Sequence, residues 1–211
     1  MRTRAIYLTI AALLFTIVPS VHGELIGGIE FPDGNLSFAD AVHFYDPGPD
    51  VAANYNAPLA ALGRPDYSGN NFTAASLGED GVLVLRFVDN SLTTSGDNAP
   101  DLHIFEVGGV TEWFNAAIST DASNWIDLGD VKGQPTSIDI DAVSGVTAGT
   151  KYSYVKLTDI FPSQTDSPYG EADIDAVGAI SSAPPAVPVP GAVLLGMLGL
   201  SVAGAQLRKR A

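Results

Sequence analysis

The sequence predicts an all-β protein, an antiparallel β-sandwich with a targeting segment at each end. Three observations predict it. Between residues 24 and 181 the apolar residues alternate over short runs and never sustain a helical period. Those runs are separated at nearly even spacing by Gly, Asp, Asn and Pro, as in sandwiches and barrels. Two uncharged apolar stretches at the ends account for a mean hydropathy of +0.20 in so acidic a chain.

Residues 82–88 (VLVLRFV) form the clearest strand, rich in β-branched and aromatic residues and ended by Asp89 and Asn90. Residues 102–107 follow, ended by Gly108 and Gly109. Further strands are expected over 114–119, 125–128, 136–140, 152–158 and 173–180, and Asp40 falls in the first strand. Residues 57–62 read as a helical turn, with Pro58 at its first position, Gly63 ending it and Pro65 preventing its continuation. A near-repeat relates SIDIDAV at 137–143 to ADIDAV at 172–177. On strands, Asp139 and Asp141 would share one face, and so would Asp173 and Asp175.

The chain of 211 residues has room for one domain plus its targeting segments. Residues 1–23 have the parts of a signal peptide: Arg2 and Arg4, then an apolar run, then Pro19 and Ser20, then small residues before cleavage between Gly23 and Glu24. Residues 24–181 form the acidic sandwich and 182–190 a proline-rich spacer. Residues 191–207 form an uncharged helix of roughly 25 Å at about 1.5 Å per residue. That is just short of a bilayer core of about 30 Å. Residues 208–211 carry Arg208, Lys209 and Arg210, which keep the end cytoplasmic. All 24 acids lie between Glu24 and Asp175, opposed by only five of the ten Lys and Arg, a net charge of −19. A field of that sign excludes nucleic acid as a partner and attracts cations. With no cysteine, disulfides and Cys-based zinc sites are excluded too.

The tail, with Pro188, Val189 and Pro190 before one membrane helix and a basic end, resembles the PEP-CTERM sorting signal. The resemblance implies processing by an exosortase-type membrane enzyme and delivery to the cell surface or extracellular matrix. Val189 stands where that family has an acidic residue, which marks a variant tail. Within the body, LGRPD at 62–66, SLGEDGVLVLRF at 76–87, DLHIFEV at 101–107, STDASNW at 119–125, VKLTD at 155–159 and DIDAV at 173–177 resemble bacterial surface proteins that often carry such tails. Their domains look like jelly rolls of the galactose-binding type. This resemblance implies a surface or matrix role and no reaction.

Calcium takes six to eight oxygen ligands, which Asp, Asn and carbonyl groups supply near loops and strand ends. Asp97 and Asp101 lie in one acidic loop; Glu171, Asp173 and Asp175 crowd the start of the last strand; Asp40 sits in the first. The resemblance to galactose-binding domains implies a structural calcium near Asp40, Glu171 and Asp173. The same acids also read as solvated faces, with Asp101 and Asp173 as turn residues. For sugar binding, Trp113, Trp125, Tyr67 and Tyr169 are the aromatic platforms available. Trp125 alternates with Asp127 and is expected in the core, whereas Trp113, after a Gly-Gly turn, is the better exposed platform for an exopolysaccharide. Catalysis has little support. Outside the signal peptide only His43 and His103 occur, with no cysteine, no G-x-S-x-G elbow and no H-E-x-x-H. The expected function is therefore a non-enzymatic surface or matrix protein, with a calcium-dependent carbohydrate-binding module as the alternative. An extracellular hydrolase would need acids converging in a cleft.

Overall fold

A computed structural model describes residues 23–49, 51–68, 73–160 and 171–185. The expected signal peptide up to residue 22, Tyr169, the expected sorting motif at Pro188, Val189 and Pro190, the stretch 191–207 expected as a helix, and Arg208, Lys209 and Arg210 lie outside the described residues. Among the described residues no helix is long and apolar enough to cross a membrane.

The described chain is all-β, with antiparallel pairing throughout and two short 3-10 turns, Gly34–Ser37 and Pro58–Ala61. Its strands are β1 (Glu24–Ile26), β2 (Ile29–Phe31), β3 (Ala41–Asp46), β4 (Ala75–Ser76), β5 (Val82–Arg86), β6 (Ser91–Leu92) and β7 (Leu102–Val107). They continue with β8 (Trp113–Ser119), β9 (Ile126–Lys132), β10 (Thr136–Ile138), β11 (Tyr154–Asp159), β12 (Asp173–Ala179) and β13 (Ser182–Ala183). One sheet has the order β10-β7-β12-β4 and a larger one β3-β5-β11-β8-β9; β1-β2 and β13-β6 form two small pairs.

Alternation explains the main core. Val155 and Leu157 on β11, Leu83 and Leu85 on β5, and Phe114, Ala116 and Ile118 on β8 belong to one buried cluster with Leu102 and Ile104 on β7 and Ile174 and Val177 on β12. Both larger sheets thus bury their apolar residues in a single core, a sandwich-like arrangement. A second cluster joins Ile26, Phe31, Phe38, Phe105 and Ala176. It is closed by the β1-β2 hairpin, whose turn residues Gly27 and Gly28 have φ +57° and +87°, the left-handed pair that a two-residue hairpin demands. A Cβ on Gly27 would lie 2.4 Å from Phe105 Cε1, so the turn also needs glycine for its close approach to β7.

Four details differ from the sequence reading. Asp40, expected in the first strand, precedes β3, and two short strands, β1 and β2, come before it. The strand expected over 125–128 runs on to Lys132, because Leu128 is an unpaired bulge residue and Gly129 takes φ +93°. The strand expected over 136–140 stops at Ile138, so Asp139 and Asp141 lie in a turn and not on one strand face. In β12 a bulge falls between Ile174 and Ala176, leaving Asp175 without a partner on β7. Asp173 and Asp175 are consequently not held in plain alternation on one face.

Phe31 is fully buried and packs against Phe38 with ring centroids 4.8 Å apart. Phe31→Ala is expected to destabilise the protein by about 3–5 kcal/mol. Urea unfolding of the purified protein measures this as a lowered midpoint with the slope retained.

Candidate functional site

Asp101 is the hinge of an acidic cluster at one end of the four-stranded sheet. Its backbone is tied in from both sides: its N–H donates to Ile138 O at 2.9 Å, and its carbonyl accepts from Ile180 and Ser181 N–H. Its buried carboxylate accepts from Ser95 N at 2.7 Å and Ile140 N at 3.0 Å. Asp141 accepts from Gly96 N at 2.8 Å, and Asp139 accepts from Asp141 N at 2.9 Å. Asp97 accepts from Ala99 N at 2.7 Å, and the Ser95 hydroxyl bridges Asp97 and Asp141. Carboxylate oxygens of Asp101, Asp139 and Asp141 all lie within 4.8 Å of one another. An all-oxygen set of this kind fits a hard cation such as calcium. Each carboxylate also closes a turn, so the cluster staples the loop before β7 to the turn after β10 by its hydrogen bonds alone.

The other acids expected to share a calcium site are engaged separately. Asp40 accepts from Val88 N at 2.8 Å, and its charge lies beside Asp89, whose carboxyl is pushed up first by burial and then by Asp40. Asp175 accepts from Asp66 N and Tyr67 N, both at 3.2 Å, and burial raises its carboxyl to about 6. Asp173 is hydrogen-bonded by the Ser76 hydroxyl, and Glu171 is buried at the entry to β12 with φ +49°. Among the described residues, only Asp101, Asp139 and Asp141 bring three potential ligands this close together. The expected grouping of Asp40, Glu171 and Asp173 is therefore not the one the structure assembles. Asp139 and Asp141 were visible in the near-repeat, but reading them as strand residues concealed their place beside Asp101.

A second group of acids is more deeply buried. Alternation along β7 puts Leu102, Ile104 and Glu106 on the same face, so a carboxylate ends a row of core side chains. Glu106 is 2% exposed, Asp173 6% and Glu112 9%. Glu106 Oε1 lies 3.5 Å from Gln134 Nε2, Oε2 has no hydrogen-bond partner, and the Gln134 amide and the Asp173 N–H only partly offset the burial. Burial, then the charge of Glu112, pushes the Glu106 carboxyl up to about 9. Burial raises Asp173 to about 7 against the opposing Ser76 hydrogen bond. Tyr45, which donates to Ser76 O at 2.7 Å, is raised to about 12 by burial and then by Asp173.

The aromatic residues sort differently from expectation. Trp113 is 38% exposed at the start of β8, with Lys132 Nζ 5.6 Å from its ring centroid. Trp125, expected in the core, is half-buried at the mouth of a pocket of about 250 Å³. Its ring carries Lys156 Nζ at 4.7 Å. His103 is buried against Phe105, 4.5 Å between centroids, and burial lowers it to about 4. Its Nδ1 meets Ser137 Oγ at 2.6 Å, while Nε2 has no hydrogen-bond partner, so no carboxylate completes a triad there. His43 stacks instead on Tyr154 at 4.9 Å.

Neither protein-family models nor curated proteins match this chain.

The Glu106 carboxyl ordinarily ionises at 4.5 and in the folded protein at about 9. Its contribution to stability is thus full below 4.5 and is lost as pH rises through about 9. Glu106→Gln removes the cost of taking up a proton on folding and is expected to stabilise the protein at pH 8 by on the order of 2 kcal/mol, with almost no effect at pH 4. Paired urea titrations at the two pH values measure the difference.

Proposed function

We propose that this protein is an exported, non-enzymatic component of the cell surface or extracellular matrix. The observation that carries the reading is the order of the tail: rigid prolines at 184–190, an uncharged stretch at 191–207, then Arg208, Lys209 and Arg210. Such a tail holds the chain in the membrane until an exosortase-type enzyme processes it. The proline-rich spacer then stands the body off from the bilayer. An acidic, cysteine-free, antiparallel body of this kind suits a displayed jelly-roll domain of the galactose-binding type. That no carboxylate hydrogen-bonds His103 beside Ser137 favours a binding or structural role over hydrolysis.

Calcium is the cofactor in this reading, held by Asp101, Asp139 and Asp141 with Asp97 beside them. Bound there, it would neutralise charge where two loops meet and stiffen that end of the sheet. A carbohydrate-binding role is the second reading, favoured by the pocket beside Trp125.

Mass spectrometry of the protein recovered from its native cells is expected to show an N-terminus at Glu24 and no peptide containing Leu200 or Arg208. Their retention would sink the sorting reading. In melting experiments, calcium at 100 times its dissociation constant is expected to add about 2.7 kcal/mol over a chelator. Asp141→Asn is expected to abolish that gain. Identical melts of the unaltered protein with calcium and with chelator would remove calcium from the account.

A further inference from the structure

The pocket beside Trp125 is built between two loops that meet at the end of the five-stranded sheet. One connects β8 to β9 and supplies Thr120, Asn124 and Trp125; the other precedes β11 and supplies Thr147 and Thr150. None of the nine lining residues is charged, although the chain carries 24 acids. An uncharged pocket with three threonines, an asparagine and an indole offers hydroxyl and amide groups around one aromatic surface. Such a set matches a pyranose ring, whose C–H face stacks on an indole while its rim of hydroxyls exchanges hydrogen bonds.

Both loops are held rigidly before any ligand arrives. Asp121 accepts from Ser123 N at 2.9 Å, Asn124 N at 2.8 Å, Asn124 Nδ2 at 2.9 Å and Ser119 Oγ at 3.1 Å. Those bonds hold its carboxyl far below the usual range. Ala122, at φ +59°, is fixed in a conformation that alanine rarely adopts. In the facing loop the buried Tyr152 hydroxyl accepts from Thr147 N at 3.1 Å, and Gly149 N donates to Thr94 Oγ1 at 3.0 Å. Preorganisation of this kind matters most for a weak, hydroxyl-rich ligand, because ordering the loops on binding would consume the small gain.

We infer that this pocket binds a neutral pyranose unit, with Trp125 as the stacking platform and Asn124, Thr147 and Thr150 as the polar rim. The inference rests on the carbohydrate-binding reading above and moves its aromatic platform from Trp113 to Trp125. Charge selects the class of sugar. The net −19 of the body opposes an acidic sugar, the nearby Lys156 Nζ is already engaged by the indole at 4.7 Å from its centroid, and no lining residue is a carboxylate that could hold an amino sugar. A volume of about 250 Å³ falls below the 300 Å³ or so at which drug-sized pockets begin, which limits the occupant to a single ring or a chain end.

The test is saturation-transfer NMR on the full-length protein in a detergent without sugar head groups. Its probes are the methyl glycosides of glucose, galactose and mannose, with glucuronic acid and glucosamine alongside. Transfer to the ring protons of at least one neutral glycoside, and little to the charged sugars, is expected. Trp125→Ala is expected to weaken that binding about tenfold or more. Trp125→Phe should restore part of it, and Trp113→Ala should leave it within about twofold. Circular dichroism establishes that each variant is folded. If Trp113→Ala removes binding and Trp125→Ala does not, this site is wrong while carbohydrate binding stands. If only the charged sugars bind, the neutral-pyranose assignment falls. If no sugar binds the unaltered protein, this inference and the carbohydrate reading both fall, and the surface-protein reading is untouched.

Discussion

With 24 carboxylates and ten Lys and Arg in the sequence, most acids in this protein have no cation to pair with, and something else must satisfy them. Backbone N–H groups do so. Asp40, Asp97, Asp101, Asp121, Asp127, Asp141 and Asp175 each accept from main-chain donors, while the side-chain ion pair found among the described residues is Arg64 with Glu24 at 2.8 Å. Because each such bond closes a turn or ties a loop to a strand, the acids serve the architecture as well as burdening it. The few cations are spent differently. Arg86, Lys132 and Lys156 lie over Tyr154, Trp113 and Trp125 at 5.5, 5.6 and 4.7 Å.

The contrast is Glu106, whose Oε2 has no hydrogen-bond partner while the charges of Glu112 and Asp173 lie near it. A half-satisfied carboxylate at the end of a core row is costly, and the protein meets that cost by holding protons on it. The loop cluster at Asp101 is the opposite case, with both oxygens of its central acid bonded to main chain. Two acidic groups in one domain therefore differ in how fully main-chain donors satisfy them.

Sequence pattern was most informative where apolar character ran unbroken or alternated cleanly. β5, β7, β8, β11 and β12 have five to seven residues of alternating or continuous apolar character, and all were legible. The three-residue strands β1 and β2 were not, although their Gly27 and Gly28 carried the hairpin signal. Bulges caused the remaining errors: an extra residue at Leu128 or Asp175 resets the alternation that the reading relies on. Of the candidate sites, Asp97 and Asp101 are legible as a loop pair, but the alternation of 137–143 puts their partners Asp139 and Asp141 on a strand. Trp125 was assigned to the interior because alternation cannot distinguish a core position from the wall of a pocket. Glu106 was hidden for a related reason, since a lone Glu in an apolar run signals neither burial nor exposure.

The edge position of β9 carries one more consequence. As the last strand of its sheet, it offers a row of main-chain donors and acceptors on its free side, which any neighbouring copy could extend into a continuous ribbon. Its exposed residues are Asp127, Asp130 and Lys132, and its course is bent at Leu128 and Gly129. Charges and a kink there make strand addition by a second molecule unfavourable, so crowded copies of this protein stay separate at that border instead of polymerising along it.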